Sequence, residues 1–340
     1  MKSLPLACCA AVVAAETIGD LSFTSIGKFS IENPSFIDIA QWTDFYSTSD
    51  PFLYSTSGAT AASLGGEPGT LTIVEGLKEA VAAGDVSTLK ATVLDTGDSL
   101  VAPFVPGLAP ATAFEANRVL AVPTLGYADG GIYLVHLSSD DMTQTLGTYK
   151  ITPDKTDYGY YQGQWADLNG DGLLDYITVR FNNREGGSEL VWFERPSGGL
   201  GLDGTEWTEH VIAEGPYAGL EVDVLDAYPD EVIVWASDTS NNNLGLYRVS
   251  TKDGSLVDSR IIDGATHEHS YTVSMVDLNG DGKKELLFGN HGYDADNTGV
   301  FALTVPEDIM SGTFEKFTLA DDFVPTRQTP GFSYAVRPDG

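Results

Sequence analysis

Two nine-residue segments of this 340-residue chain are nearly identical: DLNGDGLLD at Asp167–Asp175 and DLNGDGKKE at Asp277–Glu285. They begin 110 positions apart, and an apolar run follows each of them, YITV or LLFG. Midway between them, an acidic segment at 221–226 precedes the apolar run at 231–236, which indicates a third copy whose Gly-rich loop is lost. The repeat is therefore about 55 residues long, the size of a four-stranded propeller blade.

Strand-like segments recur in the same order within each unit. After the acidic segment come a buried strand, a polar Gly/Asn/Asp loop, a strand with an aromatic residue and an outer strand. Two earlier units, around Phe36 and Arg118, fit more loosely, and a sixth begins at Gly331. Because one small sheet cannot bury both of its faces, the units must pack side by side. We predict an all-β fold, a β-propeller of four-stranded blades with five recognisable repeats and a partial one, so six or seven blades stay open. One short helix is predicted over Val74–Ala83.

The repeated motif, D-x-N-x-D-G-x-x-[DE], places oxygen ligands at alternate positions. The candidate metal ligands are Asp167, Asn169, Asp171, Asp175 and the carbonyl of Leu173 in the first copy, and Asp277, Asn279, Asp281, Glu285 and the carbonyl of Lys283 in the second. Glycine at the sixth position, Gly172 or Gly282, allows a sharp turn around an ion. An anionic, flexible, all-oxygen shell suits Ca²⁺ better than Zn²⁺. The alternative is a pair of Asn-Gly and Asp-Gly hairpin turns with solvated acids.

With these two motifs and the strands that follow them, the chain resembles the FG-GAP (VCBS) repeat family of integrin-α-like β-propellers. The resemblance extends from Phe36 to the C-terminus, although the motif is well preserved in only two blades. It implies calcium loops that hold blade strands together. The family typically closes with seven blades, and this chain shows fewer. Its members include adhesion modules, lectins and a few sugar-modifying lyases, so the resemblance does not by itself imply an activity.

Acidic residues dominate the composition. The chain has 49 Asp and Glu against 18 Lys and Arg, a formal net charge of −31. This balance argues against nucleic-acid binding, because cationic contacts supply most of the affinity for phosphate. It also disfavours anionic membrane surfaces, and no apolar run reaches the ~18 residues of a membrane span. We expect a monomer whose partner is an extracellular glycan or a protein surface.

The N-terminal residues Met1–Ala15 have the pattern of a short secretory signal, and the alternative is a buried N-terminal strand or helix. Cleavage would remove both cysteines, Cys8 and Cys9. We therefore predict a secreted protein with one propeller domain at 16–340, stabilised by bound metal ions rather than by disulfides. The sequence ends on a turn signal at 338–340, so either the domain is truncated there or the preceding segment, 330–337, is a closing strand.

Three of the five histidines cluster near the second motif. His267 and His269 are two positions apart and would share one face of a strand, and His291 follows the next predicted strand. Such a group is a candidate transition-metal site or proton-transfer pair, and hence a candidate catalytic site. The alternative is a set of loop histidines with structural roles.

Aromatic residues recur at the starts and inner strands of the repeats. Trp165, Trp192 and Trp235 lie in strand-like runs and are expected in the core. Three tyrosines in loop-like contexts are the candidate ligand-binding residues, because aromatic rings stack on sugars: Tyr160, Tyr161 and Tyr293. Arg180 and Arg184 would pair with acids or bind an anionic sugar, and in so acidic a chain we expect pairing.

No nucleophile elbow, P-loop or dinucleotide fingerprint is present. The favoured hypothesis is a calcium-stabilised, secreted β-propeller that acts as a binding or scaffold module. A metal-assisted sugar lyase or dehydratase, with the three clustered histidines near the centre of the propeller, is the alternative. A purely structural surface protein is a third possibility.

Overall fold

A computed structural model of the chain describes residues 17–18, 21–22, 29, 34–40, 52–57, 68–110, 112–115, 117–126, 130–155, 157–182, 184–215, 219–238, 243–263, 270–290 and 299–320. The chain forms two compact units. One comprises residues 1–159 with 198–206, and the other comprises residues 160–197 with 207–340.

The first unit contains two four-stranded sheets, which we call blades 1 and 2. Blade 1 consists of β3 (Pro34–Ala40), β4 (Phe52–Ser57), β5 (Thr70–Glu75) and β6 (Lys90–Val93). Blade 2 consists of β7 (Gly107–Leu108), β8 (Arg118–Pro123), β9 (Ile132–Leu137) and β10 (Thr145–Lys150). Before them, β1 (Thr17–Ile18) pairs with β2 (Leu21–Ser22).

The second unit contains blades 3, 4 and 5. Blade 3 consists of β11 (Tyr158–Ala166), β12 (Asp175–Asn182), β13 (Ser188–Glu194) and β14 (Thr208–Glu214). Blade 4 consists of β15 (Leu220–Asp223), β16 (Glu231–Asp238), β17 (Asn243–Ser250) and β18 (Leu256–Asp263). Blade 5 consists of β19 (Ser270–Val276), β20 (Glu285–Asn290), β21 (Val300–Thr304) and β22 (Lys316–Ala320).

Every blade is an antiparallel meander in which strands that follow each other in sequence are neighbours in the sheet. This is the topology of a propeller blade. The predicted fold class, an all-β propeller of four-stranded blades, is confirmed, with five blades in the described residues. The partial sixth repeat, which begins at Gly331, lies outside them.

The predicted helix over Val74–Ala83 begins later than expected, because helix α1 spans Leu77–Ala83. Val74 and Glu75 instead end β5, where pairing with β4 and β6 outweighs their local helical pattern. Gly76 stops the strand with φ 85°, and a Cβ there would lie 2.7 Å from the carbonyl oxygen of Thr88. In the described part of the chain, no helix has the length and apolar character needed to cross a membrane.

Burial changes sharply from the second strand of a blade to its fourth. In β12 every residue but the last is buried, and in β16 every residue but the first. A strand covered on both faces becomes almost continuously apolar, as in YITV and VIVWA. By contrast, all five residues of β22 are exposed. The second strand therefore lies in the core, and the fourth is the exposed edge of the blade.

Large aromatic rings fill the core of the second unit. Trp192 and Trp235 are fully buried, which confirms their expected core position. Trp165 is only half-buried. Its ring contacts Tyr176 edge-on at 5.0 Å between centroids and Trp207 at 6.3 Å.

The expected pairing of Arg180 with acids is confirmed within blade 3. Its side chain is 2% exposed, and its guanidinium donates to Glu189 at 2.7 Å and to Glu209 at 2.6 Å. A buried cation requires such partners, because desolvation without them costs several kcal/mol. Arg184 lies at an exposed position in the turn before β13.

Blades 3 and 4 meet at a tryptophan and a glycine. The ring of Trp192 in β13 stacks on His210 in β14, with centroids 4.2 Å apart and planes at 14°. Gly254, in the turn between β17 and β18, approaches the same ring so closely that a Cβ would overlap its six-membered part. Gly254 also has φ 66°, a conformation that disfavours other residues.

We expect Gly254→Ala to lower the free energy of unfolding by about 2–4 kcal/mol, because left-handed strain and an overlap with Trp192 add together. Gly186→Ala is the matched control: Gly186 has φ 75°, and no atom lies within 4 Å of its Cβ position. The control should lose only about 1–2 kcal/mol from strain. Urea denaturation measures both values, and equal losses would contradict the packing described for Trp192.

Candidate functional site

Both copies of the acidic motif connect the first strand of a blade to the second. Asp167–Asp175 joins β11 to β12 in blade 3, and Asp277–Glu285 joins β19 to β20 in blade 5. In each copy the ninth residue is also the first residue of the second strand. The two loops therefore occupy equivalent positions in their blades.

The first aspartate of each loop organises the turn. Asp167 accepts hydrogen bonds from the backbone N–H of Gly170 through Oδ1 at 2.7 Å and of Gly172 through Oδ2 at 3.0 Å. The second copy repeats both bonds at 2.7 and 2.9 Å, from Gly280 and Gly282 to Asp277. The backbone is the same as well, with φ 75° and 84° at the two glycines of the first loop and 75° and 85° at those of the second.

The middle ligand candidates also bind the loop backbone. Asn169 Oδ1 accepts from Asp171 N–H at 3.1 Å, and Asp171 Oδ1 accepts from Leu173 N–H at 2.8 Å. The second loop has the corresponding bonds at 2.8 Å each, from Asp281 to Asn279 and from Lys283 to Asp281. Asp171 and Asp281 are exposed to solvent.

The ninth residue carries a buried carboxylate. Asp175 is fully buried, and its two oxygens accept from the backbone N–H of Leu168 at 3.0 Å and of Arg195 at 2.9 Å. Burial raises the pKa of Asp175 to about 6, and the nearby carboxylates of Asp171 and Asp167 add to the rise against the lowering effect of the two hydrogen bonds. Asp175 is therefore a buried carboxyl group with two further carboxylates of the same loop nearby.

Glu285 takes the equivalent position in the second loop and is also buried. Its Oε2 accepts from Leu278 N–H at 2.9 Å and its Oε1 from Asn279 Nδ2 at 3.4 Å. In both loops the ninth carboxylate therefore holds the start of the loop against the start of the second strand.

These oxygen donors suit a hard cation such as Ca²⁺ by their chemistry. In the described arrangement, however, the carboxylates bind backbone N–H groups. Among the residues that the structure describes, no three His, Cys, Asp or Glu side chains converge as metal binding requires. Calcium binding therefore stays a prediction.

The remaining site candidates have different outcomes. Tyr160 and Tyr161 are both buried in β11, so their prediction as loop residues is wrong. Tyr160 contacts Phe193 at 6.0 Å between ring centroids, and Tyr161 contacts Phe181 at 5.0 Å. The local Tyr/Gly pattern gave no sign that this strand is covered on both faces. Four further candidates lie outside the described residues: His267, His269, His291 and Tyr293.

A polar cluster on the first strands of blades 3 to 5 carries no sequence motif. Glu221 in β15 accepts from Gln164 Nε2 in β11 at 2.6 Å and from the backbone N–H of Met275 in β19. Gln164 Oε1 in turn accepts from Val222 N–H at 2.8 Å. Burial, and then the neighbouring Asp223, raise the pKa of Glu221 to about 7 against the lowering effect of the Gln164 hydrogen bond. This carboxyl group therefore links three blades.

We expect the Glu221 link to make stability depend on pH. Because folding raises its pKa from 4.5 to about 7, its contribution is complete below about 4.5 and is lost as the pH rises through 7. The other charged groups that face it, Asp223 and Lys284, act in opposite directions. Glu221→Gln keeps an uncharged hydrogen-bonding group there and should remove on the order of 2–3 kcal/mol of this pH dependence.

Thermal unfolding of the wild type and Glu221→Gln between pH 5 and pH 8 measures this effect. Glu214→Gln, at an exposed position on β14, is the control and should keep the wild-type profile. If Glu221→Gln also keeps the wild-type profile, Glu221 is not the titrating group.

The chain was compared with known proteins. No protein-family model matches it. No curated protein sequence matches it either.

Solved structures do match the fold. A Bacteroides fragilis NCTC 9343 protein provisionally assigned as a 6-phosphogluconolactonase has a TM-score of 0.50 and 16% identity, over 89% of this chain and 79% of that protein. A protein from Bacteroides uniformis ATCC 8492 with the same provisional assignment has a TM-score of 0.49 and 11% identity, over 96% of this chain and 85% of that protein. A luciferin-regenerating enzyme has a TM-score of 0.46 and 9% identity, over 78% of this chain and 72% of that protein. At these identities the similarity concerns the fold alone, and only the first reaches a TM-score of 0.5. The fold defines the class of this protein, a β-propeller.

Proposed function

We propose that the chain is a secreted, calcium-stabilised β-propeller of the FG-GAP (VCBS) type that acts as a binding or scaffold module for an extracellular glycan or protein. The main support is the pair of loops at Asp167–Asp175 and Asp277–Glu285. They share sequence, position between the first two strands of a blade, glycine conformation and a buried ninth carboxylate. Two plain hairpin turns with solvated acids would not need to share all four features, whereas two loops that bind the same ion would.

The residues that would hold Ca²⁺ are the ten oxygen donors of the two motifs. When bound, the ion would neutralise the clustered carboxylates and cross-link the loop. Asp167 shapes the turn through its two backbone hydrogen bonds, and Asp175 anchors the loop to β12 from within the core. Binding would thus stabilise the connection between the first two strands of blade 3, and of blade 5 through Asp277 and Glu285.

A binding or scaffold role is supported by the exposed edge strands. Phe317 and Leu319 in β22 are 48% and 52% exposed, and Val257 and Ile261 in β18 are also largely exposed. Among the described residues, β18 and β22 are the outermost strands of their sheets. Exposed apolar side chains on such strands are typical of interaction surfaces.

The enzymatic alternative, a metal-assisted sugar lyase or dehydratase, depends on His267, His269 and His291. These three lie outside the described residues, so no observed contact of their side chains favours it.

We expect Asp171→Ala and Asp281→Ala each to lower the thermal midpoint more in calcium than in chelator, where only the backbone hydrogen bond of the aspartate is lost. Calcium that binds only the folded state stabilises it by about 2.7 kcal/mol at a hundredfold excess over Kd. Asp203→Ala is the matched control, because Asp203 accepts the same hydrogen bond from a backbone N–H two residues on, Thr205, at 2.9 Å, but lies outside the motif. Its effect should be equal in both conditions. Equal losses for Asp171→Ala in calcium and in chelator would refute the ligand assignment.

The binding role is tested on a glycan array and by incubation with the glycans that bind. A lectin should bind without turnover, and Tyr293→Ala should weaken that binding. Turnover that disappears in His269→Ala or His291→Ala, with the circular-dichroism spectrum unchanged, would favour the lyase instead. A purely structural protein should show neither binding nor turnover.

A further inference from the structure

The third copy of the repeat, in blade 4, keeps the two ends of the acidic motif. Asp223 ends β15 and Glu231 begins β16, and they are separated by the same eight positions as Asp167 and Asp175. The intervening ligand positions have changed, because Leu225 and Ala227 stand where the motif has Asn and Asp. By sequence spacing, blade 4 therefore keeps an acid at the first and ninth positions but not the side-chain donors at the third and fifth. The register differs, because Asp223 pairs with Ile233, two residues after Glu231, whereas in blade 5 Val276, just before the motif, pairs with Glu285.

An arginine meets the ninth carboxylate of blade 4. Arg248 in β17 binds Glu231 with both ends of its guanidinium, Nε to Oε2 at 2.7 Å and Nη2 to Oε1 at 2.8 Å. The two side chains are 19% and 16% exposed, so the pair is largely shielded from water. The guanidinium carbon lies 4.5 Å from the centre of the Tyr228 ring. A bidentate, stacked arginine is held in one orientation and compensates a carboxylate more strongly than an exposed lysine does.

A lysine pairs with Asp223 at the end of β15. Lys284 Nζ lies 2.9 and 3.0 Å from the two oxygens of Asp223, whose side chain is 12% exposed. Lys284 belongs to the intact motif of blade 5, so this ion pair also ties that loop to blade 4.

The position of Arg248 is uncharged in the blades with intact motifs. In the sheet register Arg248 lies opposite Ile233, two residues after the ninth position. The equivalent pairs are Ile177 with Trp192 in blade 3 and Leu287 with Ala302 in blade 5. The arginine is thus found where the motif is incomplete and is absent from this position where the motif is complete.

We infer that Arg248 and Lys284 supply, in the Asp223–Glu231 connection of blade 4, the positive charge that calcium supplies in the two intact loops. The protein would accordingly bind two calcium ions in these connections, and blade 4 would keep its connection without metal. The comparison with calcium rests on the proposed function, whereas the role of the two ion pairs in blade 4 can be tested without it.

The first test compares Arg248→Met with Lys252→Met by thermal unfolding in calcium and in chelator. Lys252 is the matched control, since its contact with Asp230 is longer, 3.5 Å, and both side chains are 74% exposed. Arg248→Met should lower the thermal midpoint by about 3 °C or more, equally in both conditions, because it leaves Glu231 shielded without its cation. Lys252→Met should leave the midpoint unchanged. A loss for Arg248→Met no larger than the control, or one confined to calcium, would overturn the inference.

If Arg248→Met does not fold, the double variant Glu231→Met/Arg248→Met tests the role of the ion pair in stability. Removing both charges leaves no shielded ion without a partner. It should fold, with a thermal midpoint close to that of the wild type, and a midpoint that stays low would count against the ion pair.

The second measurement is the calcium content of the wild type, determined by mass spectrometry after dialysis. Two ions per chain are expected, and three would overturn the inference. No bound calcium would refute the proposed function, and Arg248→Met against its control would still decide the role of the ion pair.

Discussion

The connection between the first and second strands of a blade places a charged group next to the core. In blades 3 and 5 the connection ends in a carboxylate, Asp175 or Glu285, that is buried at the start of a core strand. Hydrogen bonds from the loop backbone hold each carboxylate in place. In both blades this carboxylate belongs to the first residue of the second strand, the most deeply buried strand of its blade.

Charge balance explains several further features. The chain has 49 acidic against 18 basic residues, and two arginines of blades 3 and 4 pair with glutamates. Arg180 bridges two glutamates across the strands of blade 3, and Arg248 binds a glutamate with both ends of its guanidinium in blade 4. At Asp175 and Glu221, carboxyl groups are buried with raised pKa values. Pairing with an arginine and a raised pKa are two ways in which a buried charged group avoids the cost of desolvation.

The structure predicted from the local sequence differs from the observed structure at the start of the helix and at two tyrosines. The helix begins at Leu77 rather than at Val74, because Ile73 and Val74 complete a buried strand between two partners. Tyr160 and Tyr161 have glycines on either side and look like loop residues, yet the strand that contains them is covered by its neighbours. In both cases sheet pairing and burial outweighed a local preference that is weak in energy.

From the sequence alone came the repeat length, the four-stranded unit, the all-β class and the chemistry of the two acidic loops. The repeat length follows from the 110 positions that separate the two motifs. The other three follow from the spacing and alternation of residues within short segments. The tertiary structure decided which acids are buried, which cations meet them and which aromatic residues are covered. Its decisive contacts join residues far apart in the chain, such as Gln164 with Glu221, 57 positions away, and Asp223 with Lys284, 61 positions away. Such pairs depend on how neighbouring blades pack, and no local spacing in the sequence records that packing.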